Sequence, residues 1–237
     1  MRKFDTDLRD AVKHFWITRQ AQSAKQGHGT GKDKGSRSAV TGGKQMDGFV
    51  RVVRALLREH QVPESSISTA KALELPGWFR AEKKWDLIIV HEGELLATIE
   101  FKSQIGPSFG NNFNNRTEEA LGSATDMWAA YREGAFKPSS RPFLGYLMLL
   151  EDCVRSQAPV KVAEPHFPVF SEFKGASYKR RYELLIEKLL RDRLYDGACL
   201  IMSNSVDGAK GDYYEPQSEF TFAKFIAPLL AHVVSRI

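Results

Sequence analysis

The chain has 237 residues, 42% of them hydrophobic, with a formal net charge of +5 and two cysteines. That length suits one large domain or two small ones with a real core. No apolar run approaches the roughly 18 residues of a membrane span, and the N-terminus, Met-Arg-Lys-Phe-Asp-Thr-Asp, is too charged for a secretory signal.

Charge is unevenly spread: residues 1–60 carry 13 Lys and Arg against 6 Asp and Glu. A basic face on an otherwise balanced chain points to a polyanionic partner, above all nucleic acid. Cys153 and Cys199 form no metal-type pair, and the six histidines show no HExxH pattern, which argues against zinc. Both thiols are expected to be reduced, in a cytoplasmic protein.

In chain order, residues 5–20 predict a helix with Asp5 as N-cap and an apolar stripe of Leu8, Val12, Phe15 and Trp16. Residues 26–43 turn Gly-, Ser- and Lys-rich and predict a flexible basic loop. The loop is no phosphate-binding P-loop: Lys32 is followed by Asp33 rather than Ser or Thr, and Gln26 stands where the leading glycine belongs. Its cations, Lys32, Lys34 and Arg37, together with Lys44, are candidates for a phosphate backbone. Residues 44–60 predict a second helix, with Met46, Phe49, Val53, Leu56 and Leu57 inward and Arg51, Arg54 and Arg58 outward. Asp47 is expected either as an acid favoured by the first-turn dipole or as a third carboxylate at a metal site. Pro76-Gly77 marks a turn, and Lys83-Lys84 precedes the next strand.

Residues 85–102, Trp-Asp-Leu-Ile-Ile-Val-His-Glu-Gly-Glu-Leu-Leu-Ala-Thr-Ile-Glu-Phe-Lys, predict a hairpin turning at Glu92-Gly93. Alternation puts Glu100 and Lys102 on one face and Ile99 and Phe101 on the other. The same turn sets Asp86 opposite Glu100, with Cβ atoms about 5 Å apart. Two carboxylates that close disfavour joint ionisation unless a cation sits between them, and all-oxygen ligands favour magnesium. Lys102 would then orient the attacking water and neutralise a scissile phosphate. On spacing alone, an ordinary surface hairpin remains the alternative. His91 is expected to be exposed in the turn.

The segment Ser103–Ala120 holds four asparagines and an arginine within six residues, interleaved with Phe109 and Phe113. It predicts a loop, followed by a helix starting near Thr117 with Ala120, Ala124, Met127, Trp128 and Tyr131 inward. Gln104, Asn111, Asn112, Asn114, Asn115 and Arg116 offer donors and acceptors suited to base edges and phosphates. Residues 142–150 form a continuous apolar run, as in a strand buried on both faces. Residues 151–177, with Pro159, Pro165 and Pro168, predict an irregular insertion for DNA contact or dimerisation. A helix over 178–195, a buried strand over 197–203 and a helix over 220–237 close the chain. The fold class is α/β, a central mixed sheet flanked by helices.

Asp86 followed by Ile99-Glu100-Phe101-Lys102 resembles the active-site pattern of the PD-(D/E)XK nucleases. The run from Glu100 through the Asn-rich segment to Ala120, continuing into Ala124-Thr-Asp-Met-Trp128 and Tyr131-Arg-Glu-Gly-Ala-Phe136, is similar to the XhoI family of type II restriction endonucleases. Trp85 stands where the pattern has Pro. The likeness runs over essentially the whole chain and implies one nuclease domain over 1–237, with a restriction-endonuclease-like core. It further implies magnesium-dependent cutting of double-stranded DNA at the palindrome CTCGAG, after the first C, leaving four-base 5′ extensions. Asp86 and Glu100 would hold the metal and Lys102 would assist the water. A homodimer matching the two-fold symmetry of the palindrome is implied, as is a cognate DNA methyltransferase in the same prokaryotic system. A DNA-binding module whose nuclease-like core no longer cuts is the competing reading.

Overall fold

A computed structural model of the chain describes residues 4–27 and 44–237. Among these, strands β1 (Ile67–Ser68), β4 (Leu87–His91), β5 (Glu94–Gln104), β6 (Phe143–Glu151) and β7 (Gly197–Ser203) form a mixed sheet in the order β1-β4-β5-β6-β7. The first three strands run antiparallel to their neighbours, and β5, β6 and β7 are parallel. A separate two-stranded ribbon joins β2 (Glu74–Pro76) to β3 (Glu82–Lys84).

Helices α1 (Asp5–Gly27), α2 (Asp47–Glu59) and α6 (Phe222–Val234) cover one sheet face, where Leu8, Phe15, Phe49, Leu57 and Phe225 pack on Leu87, Ile99, Phe101 and Leu147. Helices α3 (Phe109–Arg132) and α5 (Tyr178–Arg191) cover the other, where Ala124, Met127, Tyr182 and Ile186 pack on Ile88, Tyr146 and Met148. Strand β6 is buried from Phe143 to Leu150 because helices lie on both sides, as its unbroken apolar run predicts. The 151–177 segment contains one short helix, α4 (Val154–Gln157), and a 3₁₀ turn, Ser171–Phe173.

The β4–β5 hairpin turns at the predicted residues. Glu92 (φ 47°) and Gly93 (φ 83°) both take left-handed conformations, as in a two-residue turn whose twist matches the strands. Leu87 faces Ile99 and Ile89 faces Ala97, the expected register; a bulge between Ile89 and Val90 shifts it only near the turn. His91 is not free in the turn as expected: it closes β4, half-buried, hydrogen-bonded through Nδ1 to Ser66 Oγ at 3.0 Å.

Helix boundaries differ from expectation: α2 spans 47–59 within the predicted 44–60 and α6 222–234 within the predicted 220–237, and three others shift further. Helix α1 runs to Gly27, two residues into the predicted basic loop, and the remainder of that loop, with Lys32, Lys34 and Arg37, lies outside the described residues. Helix α5 stops at Arg191 instead of 195. Most consequential, α3 begins at Phe109 and not near Thr117, so the asparagines lie on its first turns rather than in a loop. Asn is a poor helix former, by about 0.5 kcal/mol against Ala, but Phe109 and Phe113 stand one turn apart and pack together on α5. Phe109 stacks on Tyr178 (centroids 5.6 Å) and Phe113 meets Tyr182 edge-on (5.1 Å). Aromatic packing of this kind outweighs the propensity cost.

Candidate active site

Asp86 stands one residue ahead of β4, where antiparallel pairing ends at Leu87 opposite Ile99. Its carboxylate continues the bridge in place of the strand: Oδ2 accepts the main-chain N–H of Phe101 at 2.8 Å. That bond holds the acid against β5 beside Glu100. Glu100 is buried, and Lys102, two residues on and therefore on the same face, places Nζ 2.6 Å from Glu100 Oε2.

The other carboxylate oxygen of Glu100 is held by Lys83, which sequence reading left out of the site. Lys83 arrives on β3, with its ammonium 4.3 Å above the ring of Trp85. The signal was the Lys83-Lys84 pair just before Trp85-Asp86, but only the β2–β3 ribbon brings that lysine onto Glu100.

These neighbours set the electrostatics. Burial pushes the Asp86 carboxyl up to about 6, and the adjacent Glu100 adds to the rise, against the opposing pull of Lys102, the Phe101 N–H and Lys83. Burial alone would raise Glu100 too, yet the ammoniums of Lys102 and Lys83 outweigh it and hold Glu100 below the usual carboxylate range. For Lys102, burial is outweighed by Glu100 and Asp86, which keep it protonated above its ordinary range. The arrangement is a pair of carboxylates with unequal proton affinities beside a fixed ammonium.

The donor set is all oxygen, the carboxylate of Asp86 just ahead of β4 and the buried carboxylate of Glu100 on β5, which suits a hard divalent cation that retains water ligands and takes one or two protein carboxylates. Asp47 does not join them. It is exposed as the first residue of α2, where the helix dipole favours an acid, and among the described residues no three His, Cys, Asp or Glu side chains gather as a metal site.

Gln104, expected at base edges, is instead buried. Its Nε2 donates to the Phe109 carbonyl at 2.9 Å and its Oε1 accepts from the hydroxyl of Tyr182, so both ends of the amide tie β5 to α3 and α5. Asn111, Asn114 and Asn115 are exposed and Asn112 half-buried on the first turns of α3. Arg116 is partly committed, with Nε 3.4 Å from the Ser103 carbonyl and a guanidinium nitrogen 2.5 Å from Glu119. Lys44 is exposed at the start of the turn Lys44–Met46, next to α2.

The model of the family described as restriction endonuclease XhoI matches residues 25–215. The chain is 53% identical over 211 residues to the type II restriction enzyme BstVI of Geobacillus stearothermophilus, covering 87% of this chain and 94% of the relative. It is 44% identical over 190 residues to the type II restriction enzyme XhoI of Xanthomonas vasicola, covering 79% and 76%. With AbrI of Azospirillum brasilense, also a type II restriction enzyme, it shares 46% over 165 residues, covering 69% and 74%. No solved structure matches. Likeness over most of the chain establishes that this chain belongs to the XhoI family of restriction endonucleases.

Proposed function

We propose that this protein is a magnesium-dependent, type II site-specific endonuclease that cuts double-stranded DNA at the palindrome CTCGAG, after the first C, leaving four-base 5′ extensions. The observation that carries the chemistry is the placing of Asp86 and Glu100 side by side with Lys102 Nζ 2.6 Å from Glu100. Support for the sequence specificity is the likeness to the family over the Asn-rich segment and to the relative named XhoI.

In this reading Asp86 and Glu100 hold the cation, which when bound stabilises charge on the scissile phosphate and eases deprotonation of water. Lys102 orients the attacking water and balances the charge developing on a non-bridging oxygen. Water adds to phosphorus in line with the departing 3′ oxygen, the P–O3′ bond breaks, and the products are a 5′-phosphate and a 3′-hydroxyl. Lys83 keeps the Glu100 carboxylate aligned before the substrate arrives.

Lys32, Lys34, Arg37 and Lys44 are assigned to the phosphate backbone, and Asn111, Asn112, Asn114, Asn115 and Arg116, at the start of α3, to DNA beside the cutting centre. A palindrome cut on both strands calls for a homodimer, and the 151–177 segment, with exposed Phe167 and Phe170, is a surface for DNA or for the second subunit. A cognate methyltransferase would protect the host DNA, and the pair would act in a prokaryotic cytoplasm; no helix among the described residues is long and apolar enough to cross a membrane.

The test is digestion of a plasmid carrying one CTCGAG site, with magnesium and then with EDTA. Linearisation with magnesium only is expected. Binding without cutting would establish the non-cutting alternative, and cutting elsewhere would refute the specificity alone.

A further inference from the structure

The β2–β3 ribbon ends in a tip, Gly77-Trp78-Phe79-Arg80-Ala81, that the catalytic chemistry does not use. Trp78 is 54% and Phe79 72% exposed, so two adjacent aromatic side chains face solvent. Yet their backbone is firmly held. Asp126 on α3, only 2% exposed, accepts the N–H of Trp78 and of Phe79 through Oδ1, both at 2.8 Å, and Arg80 Nε through Oδ2 at 2.7 Å. The fit is close: a Cβ on Gly77 would stand 2.5 Å from Asp126 Oδ2. A buried carboxylate is costly unless fully hydrogen-bonded, and here its hydrogen bonds are committed to fixing a tip whose side chains point away from the core.

We infer that Trp78 and Phe79 form an aromatic wedge that presses into the base stack of double-stranded DNA beside the cleaved phosphodiester. The inference rests on the nuclease reading above. Strand β3 runs from this tip directly to Lys83, whose ammonium touches Glu100. Phe79 and Lys83 are four positions apart, at most about 13 Å of extended chain, or about four base steps of a duplex. The wedge therefore reaches DNA held at Asp86 and Glu100. Lys84 lies exposed beside it, and the guanidinium of Arg80, paired with Asp126 yet partly exposed, stands next to Phe79. A second copy of the chain fits the tip less well: two aromatic side chains bury about 300–500 Å², short of the ~800 Å² per partner of a stable interface. Apolar wedges between base steps act as small contacts inside a larger phosphate-bound surface.

Trp78 makes its own reporter, because Trp16, Trp85 and Trp128 are all buried. The experiment uses the full-length protein with calcium in place of magnesium and a CTCGAG duplex carrying 2-aminopurine at or next to the site. Wild type should raise the 2-aminopurine emission several-fold as the base unstacks, while protein tryptophan emission is quenched. A Trp78→Ala/Phe79→Ala variant, both substitutions at exposed positions, should melt at the wild-type temperature, lose the 2-aminopurine signal and bind DNA at least about tenfold more weakly. A variant with wild-type emission and affinity overturns the wedge and leaves the nuclease reading intact. A variant that changes sedimentation from dimer to monomer also overturns it, in favour of a subunit contact. Wild type that neither binds nor, with magnesium, cuts the duplex overturns both.

Discussion

The main-chain N–H of Phe101 donates to Oδ2 of Asp86 at 2.8 Å, which fixes an acid from the edge of one strand against the neighbouring strand that carries Glu100 and Lys102. The carboxyl of Asp86, raised to about 6 by burial and by Glu100, therefore binds a proton more tightly in the folded than in the unfolded chain. Its contribution to stability is complete below about pH 4 and is lost as the pH rises through 6, a difference of about 3 kcal/mol for a two-unit shift. Asp86→Asn should remove this loss, because an amide can still accept the Phe101 N–H without repelling Glu100. Urea unfolding of the metal-free proteins should show the variant gaining on wild type between pH 4 and 8, while cleavage is abolished. Parallel stability curves would contradict the raised carboxyl.

Lys83 and Lys102 occupy opposite oxygens of Glu100 and should separate by experiment. Lys102→Met should lower the cleavage rate by about 10²–10³ with DNA affinity largely kept, the range expected for losing a preorganised group aimed where negative charge develops. Lys83→Met should free one oxygen of Glu100 and tighten magnesium binding several-fold in calorimetry. Unchanged magnesium affinity would show that Lys83 does not compete for that carboxylate.

Burial of Gln104 between Phe109 and Tyr182 makes it a structural tie. Gln104→Ala leaves the hydroxyl of Tyr182 and the carbonyl of Phe109 without these partners and should cost about 1–3 kcal/mol in chemical denaturation. Preference among variant DNA sites should not move, as measured by cleavage of a panel of one-base-changed duplexes. A relaxed preference would return Gln104 to base recognition.

Asn111 and Asn114, exposed on the first turns of α3, should show opposite signs in two measurements. Replacing either by Ala improves helix propensity by about 0.5 kcal/mol and should raise the melting temperature slightly. Loss of a bidentate base contact, worth about 1–3 kcal/mol, should weaken binding to the cognate duplex tenfold or more and relax its specificity. Stability gained with no loss of binding would remove these residues from the DNA interface.

Phosphate contacts predict a steep salt dependence. Converting Lys32, Lys34, Arg37 and Lys44 together to Ala should reduce the slope of log affinity against log salt by about 3–4, near 0.9 for each lost contact. Fluorescence anisotropy over a salt series measures it, and an unchanged slope would place the basic segment away from DNA.

Local backbone geometry made much of this protein legible from its residues. Two-residue alternation put Glu100 and Lys102 on one strand face, Glu92-Gly93 supplied the left-handed turn, and the unbroken apolar run of 142–150 announced a strand covered on both sides. These follow from periods of two residues and from the steric needs of a turn, which act over a handful of positions. Tertiary structure decided what depends on distant partners. Lys83 reaches Glu100 because a separate ribbon folds over the hairpin, and α3 begins eight residues earlier than its asparagines indicate because Phe109 and Phe113 pack on Tyr178 and Tyr182. Gln104 is withdrawn from solvent by a hydroxyl 78 residues away, and Asp126 clamps a tip 46 to 48 residues behind it. Exclusion of water between those segments sets which polar groups stay free to meet DNA, and no local pattern encodes it.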